Sequence, residues 1–422
     1  MRFDWLRSSA LLLVPALVLT APADSWARKK KDTGGISVSE VFRTEAGRAR
    51  AAIDAGDMGS AQSSIAALLP SNPAENYIAA SLRMEYAGRR NDPQAMRKAL
   101  TDILESGAVP AAEIPYLRYL AGYYSFYLGE YEDARAQINY ARQLGLNSVD
   151  STMVLAETAV RQKKVAEANG LVDQALQQMR ASGKPISASF YDRAVSLAYQ
   201  TGNWQDVARY YQEKLRSYPS VGNWRDALTN YQAVPGMDSS VKLDLMRLQA
   251  ATGALASERD YEAYAQAAAD AGYDAEAKAI IDSGISNGKL TAGNGTTTAL
   301  LKKSAPKAVK TTAGLSGRVA KAAKAASGSE SASLGDDYFA MAQYPQAAAQ
   351  YRQAISKGGV NADRVNLRLG IALARSGDLA GGKAALSQVS GNWSNIARFW
   401  DIWVDQRSMS AAANIPAASP AS

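Results

Sequence analysis

The residues available for chemistry are few in kind. The chain has no histidine and no cysteine. That removes the Ser-His-Asp and Cys-His nucleophiles and every histidine or thiolate metal site. Carboxylates, lysines and a serine-lysine pair remain. Glu130, Glu132 and Asp133 cluster where a turn is predicted, and solvation accounts for them there. Ser-x-x-Lys occurs without supporting context, and no G-x-x-x-x-G-K-[ST] phosphate loop is present. "DAGDMGSAQ" lacks the acid spacing of a calcium loop. No catalytic residue, metal ligand or cofactor site is therefore expected. Tyrosine offers recognition chemistry instead. In "PYLRYLAGYYSFYLG", Tyr116, Tyr119, Tyr123 and Tyr127 recur at i, i+3, i+7 and i+11, one stripe of a helix. Tyrosine makes large contacts at low entropic cost and carries a hydroxyl. Leu117, Leu120, Ala121, Tyr124 and Leu128 form a second stripe, expected to be core. The competing reading has the tyrosines pack against the preceding element, as aromatic helical stripes usually do.

These tyrosines need a frame, and the frame repeats. Ala134, Ile138 and Ala141 are followed 34 residues later by Ala168, Val172 and Ala175, and a further 39 residues on by Val207, Tyr211 and Lys214. Tyr131, Val165 and Trp204 precede the three sets at one position, and Gly129, Lys163 and Gly202 open the turns. Weaker copies carry Ala61 and Ile65, and Ala277, Ile281 and Gly284. Later copies carry Leu334, Gly335, Ala347, Tyr351 and Ala354, then Leu369, Gly370, Gly382, Leu386 and Val389. Small residues at i and i+7 with a large one at i+4 let two helices approach while the large side chain fills the gap. A lone hairpin cannot bury that face, whereas a stack can.

The stretch Gly122…Gly129-x-Tyr131-x-x-Ala134-x3-Ile138-x-x-Ala141 resembles the tetratricopeptide repeat, as do the copies from Leu334 and Leu369. Pro219 stands where that family has its usual proline, whereas Leu146 replaces it after the first strong copy and Lys214 replaces a small residue. The segment from Tyr218 to Leu255 also looks like exported tetratricopeptide proteins of Gram-negative bacteria, some of them associated with TonB-type energy transduction. The resemblance implies an all-α α-solenoid of stacked helical hairpins, with first helices lining a groove that binds a protein partner. On that comparison Tyr116, Tyr119, Tyr123, Tyr127, Glu157, Arg161, Asp192 and Tyr199 lie on the inner face. The alternative partner is a cell-envelope polymer, peptidoglycan or polysaccharide, stacked on the tyrosines. In "WSNIARFWDIWVDQR", Ile396, Phe399, Trp400 and Trp403 form one apolar face, expected to cap the last hairpin or to dock on a partner.

Charge and the chain's start complete the reading. Between Asp282 and Glu330 there are eight basic residues and no acid, and Arg28 to Lys31 add four more. Removing these twelve from the net charge of +7 leaves −5, a mildly acidic body. Nucleic-acid binding is not expected, since it calls for basicity on a structured face. Weak contact of the basic segment with an anionic membrane surface or acidic polymer is the expectation, beside that of a solvated linker. Basic Arg2 and Arg7, an apolar run from Ala10 to Ala21 and Ser25-Trp26-Ala27 have the layout of a cleavable secretory signal, which directs the chain to the periplasm. The expected order is a signal over 1–27, a flexible basic lead over 28–40 and a main array over 41–290. A Lys/Ala-rich segment over 291–332, read as a flexible linker or a weakly helical stretch, a smaller helical pair with its last helix over 333–407 and a disordered tail over 408–422 follow. N-terminal sequencing of the exported protein is expected to read from Arg28; an intact Met1 would contradict the signal.

Overall fold

The computed structural model describes residues 38–413, with the side chains of 410–413 left aside; the expected signal, most of the basic lead and the end of the tail lie outside the described residues. All regular structure among the described residues is helical. The chain divides into two compact units, one ending at Ile186 and one beginning at Ser187, so the division falls inside the array expected to be continuous.

The first unit is four hairpins: α1 (Glu40–Asp54) with α2 (Met58–Ala66), α3 (Pro73–Arg89) with α4 (Pro93–Glu105), α5 (Ile114–Leu128) with α6 (Tyr131–Gln143), and α7 (Val149–Arg161) with α8 (Val165–Ala181). Side-chain caps start most of them. Asn72 accepts the N–H groups of Ala74 and Glu75, Asp92 that of Ala95 and Ser148 that of Ser151. Gly129 ends α5 with φ of 84°, a left-handed turn that costs glycine little. Lys163 adopts the same region (φ 59°) at the matching turn of the next hairpin, where a side chain is strained.

The repeat's anchors are the core. Ala134, Ile138 and Ala141 are fully buried, as are Ala168, Val172 and Ala175 to within 2%. The close approach they allow is measurable at three glycines. A Cβ on Gly122 would lie 2.5 Å from Ile138 Cγ1, one on Gly335 2.7 Å from Tyr351 Cε1, and one on Gly370 2.7 Å from Leu386 Cγ. Each pair is sixteen residues apart, so the first helix gives up its side chain wherever the second presents its large one. Polar links keep the same period. Arg50 pairs with Glu85, the Tyr77 hydroxyl donates to Glu113, and Arg97 donates to Asp133 (2.6 Å), each joining positions about one repeat apart. Asp133 is thus not merely solvated. Ser125 and Arg97 both donate to it, and although burial opposes this, its pKa is held below the ordinary carboxylate value.

The second unit holds α9 (Ala188–Gln200), α10 (Trp204–Ser217), α11 (Val221–Tyr231), α12 (Ser239–Ala251), α13 (Glu258–Asp270) and α14 (Asp274–Ser286). It continues with α15 (Gly295–Lys324), α16 (Ser329–Ala340), α17 (Tyr344–Lys357), α18 (Ala362–Arg375), α19 (Leu379–Leu386) and α20 (Ser394–Ala413). Val207 and Tyr211 are buried as expected. So is Lys214, whose ammonium pairs with Asp192, which explains how a lysine stands where the repeat has a small residue.

Two expectations are corrected here. The segment expected as a flexible linker or a weakly helical stretch is α15, a full helix of 30 residues packed against α14 and α16. Its inward stripe runs Leu300, Ser304, Ala308, Thr311, Leu315, Arg318 and Ala322 at helical spacing. Most of those residues are small or polar, so the stripe carries little hydropathy signal. Arg318 pairs with Asp337, Lys321 with Glu330 (2.7 Å), and Lys357 Nζ donates to the carbonyls of Ala322, Ala323 and Ala325 at the helix end. The first residues of the expected disordered tail are also helical, because α20 continues to Ala413, and residues 414–422 lie outside the described residues.

Gly122→Ala is expected to destabilise by about 1–3 kcal/mol through overpacking. Gly170→Ala, in α8 with open space around it, is expected to stabilise by about 0.5–1 kcal/mol. Urea unfolding of the two variants checks the opposite signs.

Candidate functional site

The tyrosine stripe of α5 is divided by depth. Tyr119 is 7% exposed and sits in a core cluster with Leu100, Leu117 and Leu120. Tyr116 and Tyr123 are half-buried against the same cluster, and Tyr127 is 58% exposed. Tyr116 and Tyr119 lie 6.1 Å apart between ring centroids, and Tyr123 meets Tyr124 edge-on at 5.3 Å. Burial pushes the Tyr116 hydroxyl up in pKa, with Asp150 adding to it, and that of Tyr124 up to about 12. Among the other expected inner-face residues of this unit, Glu157 is buried and Arg161 is exposed at the end of α7. Tyr119 and Glu157 therefore differ from the expectation of an open inner face. The middle of each first helix is covered by its neighbours, while Tyr127 and Arg161 at the C-terminal ends are exposed.

In the second unit Asp192 is exposed and committed to Lys214, and Tyr199 is 46% exposed, edge-on to Trp204 at 5.0 Å. The apolar face of α20 is not a free docking surface. Phe399, Trp400 and Trp403 are buried at 0%, 1% and 8% exposure. Besides covering α19, the helix lies across α10 and α12. Phe399 sits between the rings of Trp224 and Tyr231. Trp224 Nε1 donates to Gln406 Oε1 (3.0 Å), Gln406 Nε2 to the Leu215 carbonyl (2.9 Å), and Asn395 Nδ2 to Tyr231 and Gln205 (3.0 Å each). A cleft of about 530 Å³ opens beside Trp403, walled by Ala250, Ala251, Ala374 and Leu379, with Arg375 and Arg407 at its edge. No carboxylate lines it.

Carboxylates do converge elsewhere in this unit, at positions that no motif marks. Arg247 of α12 donates twice to Glu276 of α14 (2.8 and 2.6 Å) and once to Asp244. Arg368 of α18 donates to Asp336 of α16 (2.7 Å) and to the Tyr273 hydroxyl (2.9 Å), with its Nε 3.6 Å from Asp244 Oδ2. Arg364, Tyr273 and Tyr351 also donate to Asp336, and Tyr264 donates to Glu276. Arg247, Arg368, Asp244, Glu276 and Asp336 are all buried. The Arg247 guanidinium also stacks over Phe339 at 4.6 Å. Three arginines face three carboxylates, and most of their polar atoms bond to one another, while Asp244 Oδ2, Arg364 Nε and Arg368 Nε are buried without a hydrogen bond. The arrangement joins α12, α14, α16 and α18. Burial by itself would raise the Asp336 pKa, but Arg368 and Arg364, with the Tyr351 hydroxyl, hold it below the ordinary value. The visible signal in the sequence was "LDLMRLQ" and "DRVNLRLG", charges set inside apolar helices.

Among the described residues no cluster of acids could hold a metal ion, and no helix is long and apolar enough to cross a membrane. Among the described residues the architecture is an all-α array of helical hairpins. No protein-family model matches the chain, and no curated protein does. Solved structures do. A tetratricopeptide repeat protein from Parabacteroides merdae is 14% identical, with 79% of this chain and 100% of that one covered and a TM-score of 0.36. The pentatricopeptide repeat protein PPR10 from maize is 13% identical over 90% of this chain and 60% of that one, with a TM-score of 0.38. The TPR2AB domain of yeast Sti1, in complex with pHSP90, is 13% identical over 71% of this chain and 96% of that one, with a TM-score of 0.25.

Asp336→Asn strands two arginines and is expected to cost about 3–5 kcal/mol at neutral pH. A depressed folded pKa gives stability that is full above the unfolded value of about 3.9 and lost as the pH falls through the folded value. The difference between wild type and variant should therefore begin to close below about pH 4. Unfolding curves across pH check this; a gap that stays constant into acid would contradict the assignment.

Proposed function

We propose that this chain is a non-catalytic, exported scaffold that holds a protein partner on the first-helix face of its first unit, in a periplasmic cell-envelope or energy-transduction assembly. The observation that carries the reading is Tyr127, a large aromatic 58% exposed at the end of a stripe whose other members descend into the core. A ring anchored on a packed helix presents contact area without losing much freedom on binding. Arg161 ends the next first helix, and α5 and α7 touch. Tyrosine and arginine are the residues most often found at binding hot spots. The second unit supports the choice by contrast, since its aromatic helix is spent on the chain itself. Export rests on the signal-like start, and the absence of histidine and cysteine supports a role without catalysis.

The test is affinity capture from periplasmic extract with the mature chain and with Tyr127→Ala/Arg161→Glu. One or more protein partners are expected with wild type, weakened more than about tenfold in the variant, as hot-spot truncation implies. Undiminished capture by the variant would overturn the surface. Recovery of peptidoglycan or polysaccharide alone would favour envelope-polymer binding.

A further inference from the structure

The acid-free basic segment is an ordered helix, and its lysines fall in line. Lys303, Lys307, Lys310, Lys321 and Lys324 follow a single stripe of α15, and all five are exposed. The stripe lies about a quarter-turn from the buried one, at 100° per residue. Gly314 and Gly317 continue it through the middle, with open space around both. From Lys303 to Lys324 it runs about 31 Å at 1.5 Å per residue. Lys321 pairs with Glu330, while the other four ammonium groups have no acidic partner among the described residues. The inward stripe packs α15 against its neighbours and Lys357 caps its C-terminal end, with Pro306 inside the helix between Lys303 and Lys307.

We propose that this face of α15 is a binding site for a linear polyanion, a polymer with phosphate or carboxylate groups repeated along its length. This goes beyond the scaffold reading and does not depend on it. Several features favour a polymer over a bilayer. The apolar side of α15 is used against α14 and α16, so nothing remains to insert into acyl chains. The helix has no aromatic residue, and its exposed large apolar residues are only Val309 and Val319. Five of the six exposed lysines of α15 fall on this line and only Lys302 lies beside it, which matches a line of anions better than a plane of them. Lysine is a point charge without the fork of arginine, so the site reads repeated charge rather than one group's geometry. The bare glycines leave room for the polymer to lie against the helix between the two lysine clusters.

The test uses the full mature chain with polyphosphate and with polygalacturonate, titrated at several salt concentrations. Saturable binding is expected, weakened at least about tenfold by K303E/K307E/K310E, with the log affinity–log salt slope reduced by about 2–3. K303Q/K307Q/K310Q, which keeps good helix formers, should fall between. The charge-matched K164E/K184E/K242E, at exposed lysines off this face, should change affinity less than about threefold. Circular dichroism melting reports whether each variant folds; should the glutamate triple unfold, the glutamine triple decides. Equal weakening by the charge-matched control would overturn the proposal. So would absence of saturable binding to either polymer, or tighter binding to phosphatidylglycerol vesicles than to both.

Discussion

A guanidinium removed from water must be answered by carboxylates, or the fold that buries it does not form. The second unit is arranged around two such groups. Arg247 and Arg368 are each under 5% exposed, and their acids come from α12, α14 and α16. The isolated cost of burying these ions is several kcal/mol each, offset only when the whole set is in place. The helices supplying the set come from before and after α15. The early and late parts of this unit are therefore bound to fold together, although the sequence suggests two arrays and a linker. Tyrosine hydroxyls from α13 and α17 and Tyr273 at the start of α14 complete the set as donors, and burial keeps them protonated.

The C-terminal helix extends the same logic in apolar form. A hairpin stack ends in an open face, and α20 covers that of α19. It also reaches back to α10 and α12, where its phenylalanine and tryptophans take the kind of surface a repeat protein often offers to others. Polar side chains fix its register: Asn395 near its start and Gln406 farther along each tie it to earlier helices by more than one hydrogen bond. What remains exposed includes the ends of α5 and α7 in the first unit and the lysine face of α15 in the second, the surfaces proposed for binding.

The legible part of this protein is the part governed by period. Ala134, Ile138 and Ala141 and their counterparts are buried where the 34-residue spacing placed them, because one packing rule applies at every copy. The less legible parts obey rules that leave no period. α15 hides its contact stripe in serine, alanine and threonine, and its glycines, Pro306 and lysines imitate a linker. The ion network joins residues as distant as Asp244 and Arg368, and nothing local marks them as partners. Tyr119 shares its stripe and type with Tyr127, but its neighbours bury one and not the other. Helical spacing assigns a residue to a face; the fit of the next hairpin decides whether that face stays open.

The central claim is that the buried arginine network and α20 make the second unit one cooperative body. Native-state hydrogen exchange on the intact protein tests it directly, by comparing slow amides of α12 with those of α18 as urea is raised. Equal opening free energies and equal urea dependence are the result this account predicts. Opening of α16 to α19 at a clearly lower free energy, with α12 still protected, would contradict it.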